Sequence, residues 1–253
     1  MFRVCFRLLW GLACLQLAHG EMLVSPNSLT GAEGGFNNVA PFGITPSLSS
    51  SARYQQVYAA SEFSNFTQDL FLITQIAFRP DSFRGTAFSS VLPDIQINLS
   101  TTTASPENLS ATYSVNVGLD DTIVFPRGPL AISSMFVGPK SGPKDFDIVM
   151  DLATPFFYQP GVGNLLLDVR NFGAGIATAL DAVNVAGDSV SRVSAASLDG
   201  VNDTEGRPDT LGLVTRFTLV RVPAVPEPGV LSLIAAASFT GFWLKRRLAV
   251  GRT

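Results

Sequence analysis

Between Glu21 and Val225 the chain has no cysteine, no histidine and no tryptophan. Cys5, Cys14, Trp10 and His19 precede that stretch and Trp243 follows it. Each absence removes a class of chemistry. No disulfide can form there, even in a compartment that permits one. Zinc or copper sites built from Cys and His are excluded, as are Ser-His-Asp and Cys-His nucleophiles. A tryptophan platform for sugar rings is excluded too, leaving Tyr and Phe for that role. Gly173-Ala174-Gly175 lacks the third glycine and the strand–helix setting of a dinucleotide-binding turn. Basic character is also scarce: eleven cations face nineteen acids over 21–225, a net charge of −8. Such a surface does not seek phosphate backbones or anionic lipid, so no nucleic-acid partner is expected.

The two ends carry the hydrophobic runs that the middle lacks. Arg3 and Arg7 precede an apolar stretch from Leu8 to Leu17, and Ala18-His19-Gly20 supplies small residues at the first and third positions before a break. These are the parts of a secretory signal peptide, predicted over 1–20 with cleavage after Gly20; an uncleaved N-terminal anchor is the alternative. At the other end Val230 to Leu244 contains no charge, and Lys245-Arg246-Arg247 follows. Residues 229–244 as a helix cover about 24 Å at about 1.5 Å per residue. That is slightly short of the ~30 Å hydrocarbon core. Trp243 at the interface and the snorkelling stems of Lys245 and Arg246 make up the difference. The cations predict a cytoplasmic C-terminal flank with the bulk of the chain outside. Before the span, Pro226 and Pro228 hold the backbone extended around Glu227.

Val225-Pro226-Glu227-Pro228, a single span and Lys245-Arg246-Arg247 together resemble the PEP-CTERM sorting signal of Gram-negative bacteria that make exopolysaccharide. The resemblance covers 225–247 and departs from the family in Lys245, where arginine is usual, and in six further residues after the cations. It implies that Pro226, Glu227 and Pro228 mark the region recognised by an exosortase, a membrane-embedded enzyme resembling a cysteine protease. It further implies removal of the span and delivery of the remainder to the cell surface or matrix. Arg53-Tyr54-Gln55-Gln56-Val57-Tyr58, Ile76-Ala77-Phe78-Arg79-Pro80 and Thr154-Pro155-Phe156-Phe157-Tyr158 with Gly163 to Val169 are similar to segments of exported proteins bearing that tail. That similarity implies a shared extracellular β-domain and carries over no reaction.

The roughly 205 residues between the two ends are enough for one domain with a real core. Residues 21–51 are rich in Ser, Gly, Asn and Pro and predict an irregular N-terminal arm. From 52 to 222, short runs with strand chemistry recur: 54–58, 72–78, 95–102, 122–125, 130–137, 146–152, 165–169, 189–195 and 211–220. In Asp94-Ile95-Gln96-Ile97-Asn98-Leu99-Ser100 the apolar residues take every second position, so Ile95, Ile97 and Leu99 share a face. Phe146 and Ile148 alternate with Asp145, Asp147 and Asp151 in the same way. Turn formers separate the runs, among them Pro80-Asp81, Gly128-Pro129, Gly138-Pro139 and Asp199-Gly200. Segments 59–70 and 107–117 read as helical or irregular excursions. The pattern predicts an all-β fold, a two-sheet β-sandwich of jelly-roll type, with a closed barrel as the main alternative.

Two groups of residues stand out as candidate sites. Asp199, Asp203, Glu205 and Asp209 crowd one loop with oxygen donors, and calcium takes about six to eight of them, so the loop is a candidate calcium site; a solvated turn is the plainer reading. The spacing matches neither an EF-hand nor a glycine-rich nonapeptide repeat. Phe156 and Tyr158 lie in the densest aromatic cluster and could stack on a sugar, or close the end of the core. With the nucleophiles missing, no enzymatic activity and no other cofactor are expected. The expected function is that of an exported cell-surface or matrix protein of a Gram-negative envelope, anchored before processing. It is sorted by an exosortase and associates with exopolysaccharide. An unprocessed single-span adhesin or structural surface protein is the alternative. A carboxylate-based glycan hydrolase comes third, because nineteen acids offer many nominal pairs and single out none.

Overall fold

A computed structural model of the chain describes residues 20–44, 50–66, 70–195 and 199–222. Residues 1–19 of the expected 1–20 signal peptide, the Pro226-Glu227-Pro228 motif, the expected 229–244 helix and the Lys245-Arg246-Arg247 cluster lie outside the described residues. Among those described, no helix is long and apolar enough to cross a membrane. The chain divides into Met1–Arg221 and Val222–Thr253, and every described strand belongs to the first unit.

The fold is all-β and sandwich-like. Its strands are β1 (Glu21–Ser25), β2 (Phe36–Asn38), β3 (Ala52–Tyr58), β4 (Phe71–Phe78), β5 (Phe88–Thr102), β6 (Thr122–Ser134) and β7 (Ile148–Tyr158). They continue with β8 (Asn164–Asn171), β9 (Leu180–Asn184), β10 (Val190–Ala195), β11 (Arg207–Asp209), β12 (Leu211–Leu213) and β13 (Thr215–Arg221). Hydrogen bonding arranges them into a four-stranded sheet, β1-β13-β4-β7, a six-stranded sheet, β11-β10-β3-β8-β5-β6, and a small sheet, β12-β9-β2. The pairings between these strands are antiparallel.

Alternation decides which side chains meet between the sheets. Ile95, Ile97 and Leu99 of β5 are buried, as are Ile148, Met150, Leu152, Phe156 and Tyr158 of β7, while Val149, Asp151 and Phe157 face out. One apolar core joins these residues to Tyr54 and Tyr58 of β3, Phe71, Ile73, Ile76 and Phe78 of β4, Leu165, Leu167 and Val169 of β8 and Phe217 of β13. Tyr58 and Phe217, from different sheets, meet edge to face at 5.0 Å. The Tyr58 hydroxyl lies 2.8 Å from Thr215 Oγ1, and Gln56 both donates to the Leu213 carbonyl and accepts from its amide. These bonds satisfy polar atoms that would otherwise be costly to bury.

The six-stranded sheet is covered on its second face as well. The 103–121 segment, with the one-turn helix α1 (Tyr113–Asn116), packs Leu109 and Tyr113 onto Val57, Leu166 and Val193. Beneath it Asp168 accepts from Arg53 at 2.6 Å and from Gln55 at 2.9 Å, and Asn116 donates to Gln55. Asn98 and Ser100, on the polar face of β5 by alternation, are therefore buried rather than solvated.

Each of the nine expected runs falls on strand, with adjustments. Runs 122–125 and 130–137 fuse into β6, and 211–220 divides into β12 and β13. β6 continues through Pro126 and Pro129, and β7 through Pro155, because both strands are sheet edges and their pairing shifts register there. The irregular-arm expectation for 21–51 is corrected. β1 completes the edge of the four-stranded sheet, β2 joins the small sheet, and Phe42 is buried. β1 starts with the exposed pair Glu21-Met22, and β2 is three residues of which Asn fills two, so neither shows a strand period long enough to read. The 59–70 and 107–117 excursions contain a 3-10 stretch, Ala60–Phe66, and α1. Every sheet has two open edges, unlike the closed-barrel alternative.

Candidate functional site

Of the two candidate sites read from the sequence, the aromatic one is closed to solvent. Phe156 is 2% exposed and Tyr158 is fully buried against Phe63 and Phe71, so neither ring is open to a sugar. The glycan-contact expectation for these two residues is corrected: Phe156 and Tyr158 point inward, and Phe157 between them is the one that faces out. In the 199–209 loop, the candidate calcium site, three of the four acids have protein partners. Asp209 is held by a bidentate pair with Arg192 at 2.8 and 2.9 Å. Asp199 accepts both of its short contacts from Asn202, and Glu205 accepts from Thr112. These carboxylates serve to tie down the loop and β11, and among the described residues they form no group of three.

A different group does converge. Carboxylate oxygens of Glu33, Asp81 and Asp181 all lie within 4.8 Å of one another, from three stretches of chain far apart in sequence. Asp181 sits on β9, whose backbone meets the segment after β4: its amide donates to the Arg79 carbonyl, and the Asp81 amide donates to Ala179. Gly34 brings the third stretch in. A Cβ at that position would land inside the carbonyl of Ala182, so only glycine allows this close an approach to β9. The Gly34 amide then donates to Asp181 Oδ1 at 3.0 Å. Asp81 Oδ1 accepts from the amides of Phe83 and Arg84, fixing the turn that follows β4.

Arg79 anchors the group from below. Its Nε donates to Asp181 Oδ2 at 2.8 Å, with side chains that are 1% and 0% exposed. Its Nη2 also donates to the carbonyls of Leu29 and Ala32, and its guanidinium lies over the Phe146 ring at 4.9 Å. Arg79 therefore ties the 29–34 segment to β9. Burial pushes the Asp181 carboxyl up to about 6, against the lowering pull of Arg79 and the Gly34 amide, with Glu33 adding to the rise. Glu33 differs from both partners. Each of its carboxylate oxygens is buried, and neither has a hydrogen-bond partner. A cleft of about 410 Å³ opens beside the group, lined by Glu33, Gly35, Asn37, Asp81, Phe83 and Arg84.

Sequence reasoning reached Arg79 and Asp81 only as parts of a segment and a turn, and missed Glu33 and Asp181. Asp181 carried a signal, a lone acid within the apolar run Leu180-Asp181-Ala182-Val183. Glu33 carried none. No family model matches this chain, and no curated protein does.

Proposed function

We propose that the chain is an exported, non-enzymatic protein of the cell surface or extracellular matrix, a sandwich of jelly-roll type whose tail is processed by an exosortase and which associates with exopolysaccharide. The observation that carries the reading is the extent of the described strands. β1 starts at Glu21, directly after the predicted cleavage position, and β13 ends at Arg221, just before the Pro-Glu-Pro block. The two strands are neighbours, with Glu21 opposite Leu219, and Arg221 pairs with Glu21 at 2.6 Å. Removing both end segments leaves every described strand in place. The jelly-roll reading is supported by sheet neighbours distant in sequence, such as β3-β8-β5 and β1-β13-β4. Neither Cys nor His is present in the folded unit to act as nucleophile or base, which favours a binding or structural role.

Processing is tested by expressing the full chain in a host that carries an exosortase and measuring the mass of the mature protein. The expected C-terminus lies between Pro226 and Gly229, and replacing Pro226, Glu227 and Pro228 together leaves the chain uncut. A mature protein that retains Leu244 to Thr253 overturns the sorting reading and leaves the single-span adhesin. Association is tested by cosedimentation of the mature protein with the host's own exopolysaccharide. Saturable retention is expected; none at any polymer concentration overturns the matrix role.

A further inference from the structure

The geometry points to a calcium site formed by Glu33, Asp81 and Asp181 around β9, the central strand of the small sheet. The convergence of three acids is one observation. The second is independent of it: both oxygens of Glu33 are removed from solvent and accept no hydrogen bond, while their own cluster offers them only further negative charge. A buried carboxylate in that state is costly unless a cation completes it. The one guanidinium in the cluster is already committed. Arg79 donates to Asp181 and to the carbonyls of Leu29 and Ala32. Arg84 lines the cleft, yet among the described residues no ion pair joins it to the three acids. Three carboxylates against one cation leave a charge of −2, which a divalent ion neutralises.

The donors select the ion. All are carboxylate oxygens and no imidazole or thiolate exists between Glu21 and Val225, so a hard cation fits and zinc or copper does not. Calcium accepts irregular geometry and about six to eight oxygens, and the adjoining cleft of about 410 Å³ admits the waters that three side chains leave to be supplied. Magnesium demands a near-octahedral shell and gives up water reluctantly, so it binds more weakly here. Asp81 and Asp181 are already oriented by backbone amides, which leaves Glu33 as the ligand freed from any other role. The site rests on these residues alone and stands or falls separately from the exosortase and polysaccharide readings.

The test uses the full-length chain and the Glu33→Gln variant, stripped with chelator and titrated with calcium chloride by calorimetry, with melting curves in chelator and in calcium. The wild type is expected to bind calcium saturably with a Kd of ~10⁻⁴ to 10⁻³ M, the range of extracellular modules. Glu33→Gln is expected to bind about tenfold or more weakly, since charge count sets the affinity of oxygen sites. The melting order is expected to cross over. In chelator the variant melts at or above the wild type, because one of three mutually repelling charges is gone; in calcium the wild type melts higher. Asp151→Asn, on the outward face of β7, leaves the binding curve unchanged. No heat and no melting shift up to about 10 mM calcium would overturn the site, given the weakest extracellular affinities known for such modules. So would a Glu33→Gln variant that binds as tightly as the wild type.

Discussion

Replacing Arg79 by methionine is expected to lower the free energy of unfolding by about 3–5 kcal/mol, the cost of removing one partner from a buried ion pair. Methionine retains most of the length and the apolar contact with Phe146, so the loss falls on the polar side. Asp181 keeps its Gly34 amide but loses its cation, and the carbonyls of Leu29 and Ala32 lose a donor. The connection between the 29–34 segment and β9 goes with them. Arg79→Lys is expected to restore only part of the stability, because an ammonium cannot reach a carboxylate and two carbonyls with a planar fork. Urea denaturation in the presence of chelator measures both variants without interference from bound cations. A loss below about 1 kcal/mol for Arg79→Met would mean that the pair contributes no more than an exposed one.

Phe217→Ala is expected to cost about 3–5 kcal/mol as well, by a different mechanism. Phe217 is fully buried on β13 and meets Tyr58 at 5.0 Å and Phe63 at 5.7 Å, so its ring bridges the four-stranded and six-stranded sheets. Truncation leaves a cavity between two hydrogen-bonded sheets, which cannot close over it without breaking their own pairing. Phe157→Ala provides the comparison. It is the same substitution in the same sheet, on a ring that is 46% exposed, and is expected to change stability by about 0.5 kcal/mol or less. Similar urea midpoints for the two variants would contradict the inward and outward assignment of these strands.

The strand positions were readable where one face is apolar and the run is long. Within β5, Ile95, Ile97 and Leu99, and within β7, Ile148, Met150 and Leu152, keep a period of two, and all six are buried as alternation selects. Gly128-Pro129 read as a turn, because a local reading cannot know that β6 is an edge on which a missing amide costs little. β1 and β9 escaped for the opposite reason. They are five residues each, and burial on β9 extends over four consecutive positions, Leu180 to Val183, including the acid. The aromatic cluster at 156–158 had the composition of a sugar platform and also of a core. Parity along β7 chose the core for two of its three rings.

Composition by itself determined the absence of disulfides, of thiol and imidazole chemistry, and of a basic surface between Glu21 and Val225, since these depend on which atoms the chain contains. Periodicity by itself determined that the chain folds as β-sheet, because a period of two leaves an apolar face that only another layer can bury. Which carboxylates meet was decided by tertiary structure alone. In the loop with four acids in eleven residues, Asp199, Glu205 and Asp209 are engaged by Asn202, Thr112 and Arg192, while Glu33, Asp81 and Asp181 converge from segments up to 148 positions apart. Proximity along the chain fixes local turns. A cluster of like charges forms only where strand register and core packing supply the energy that holds it together.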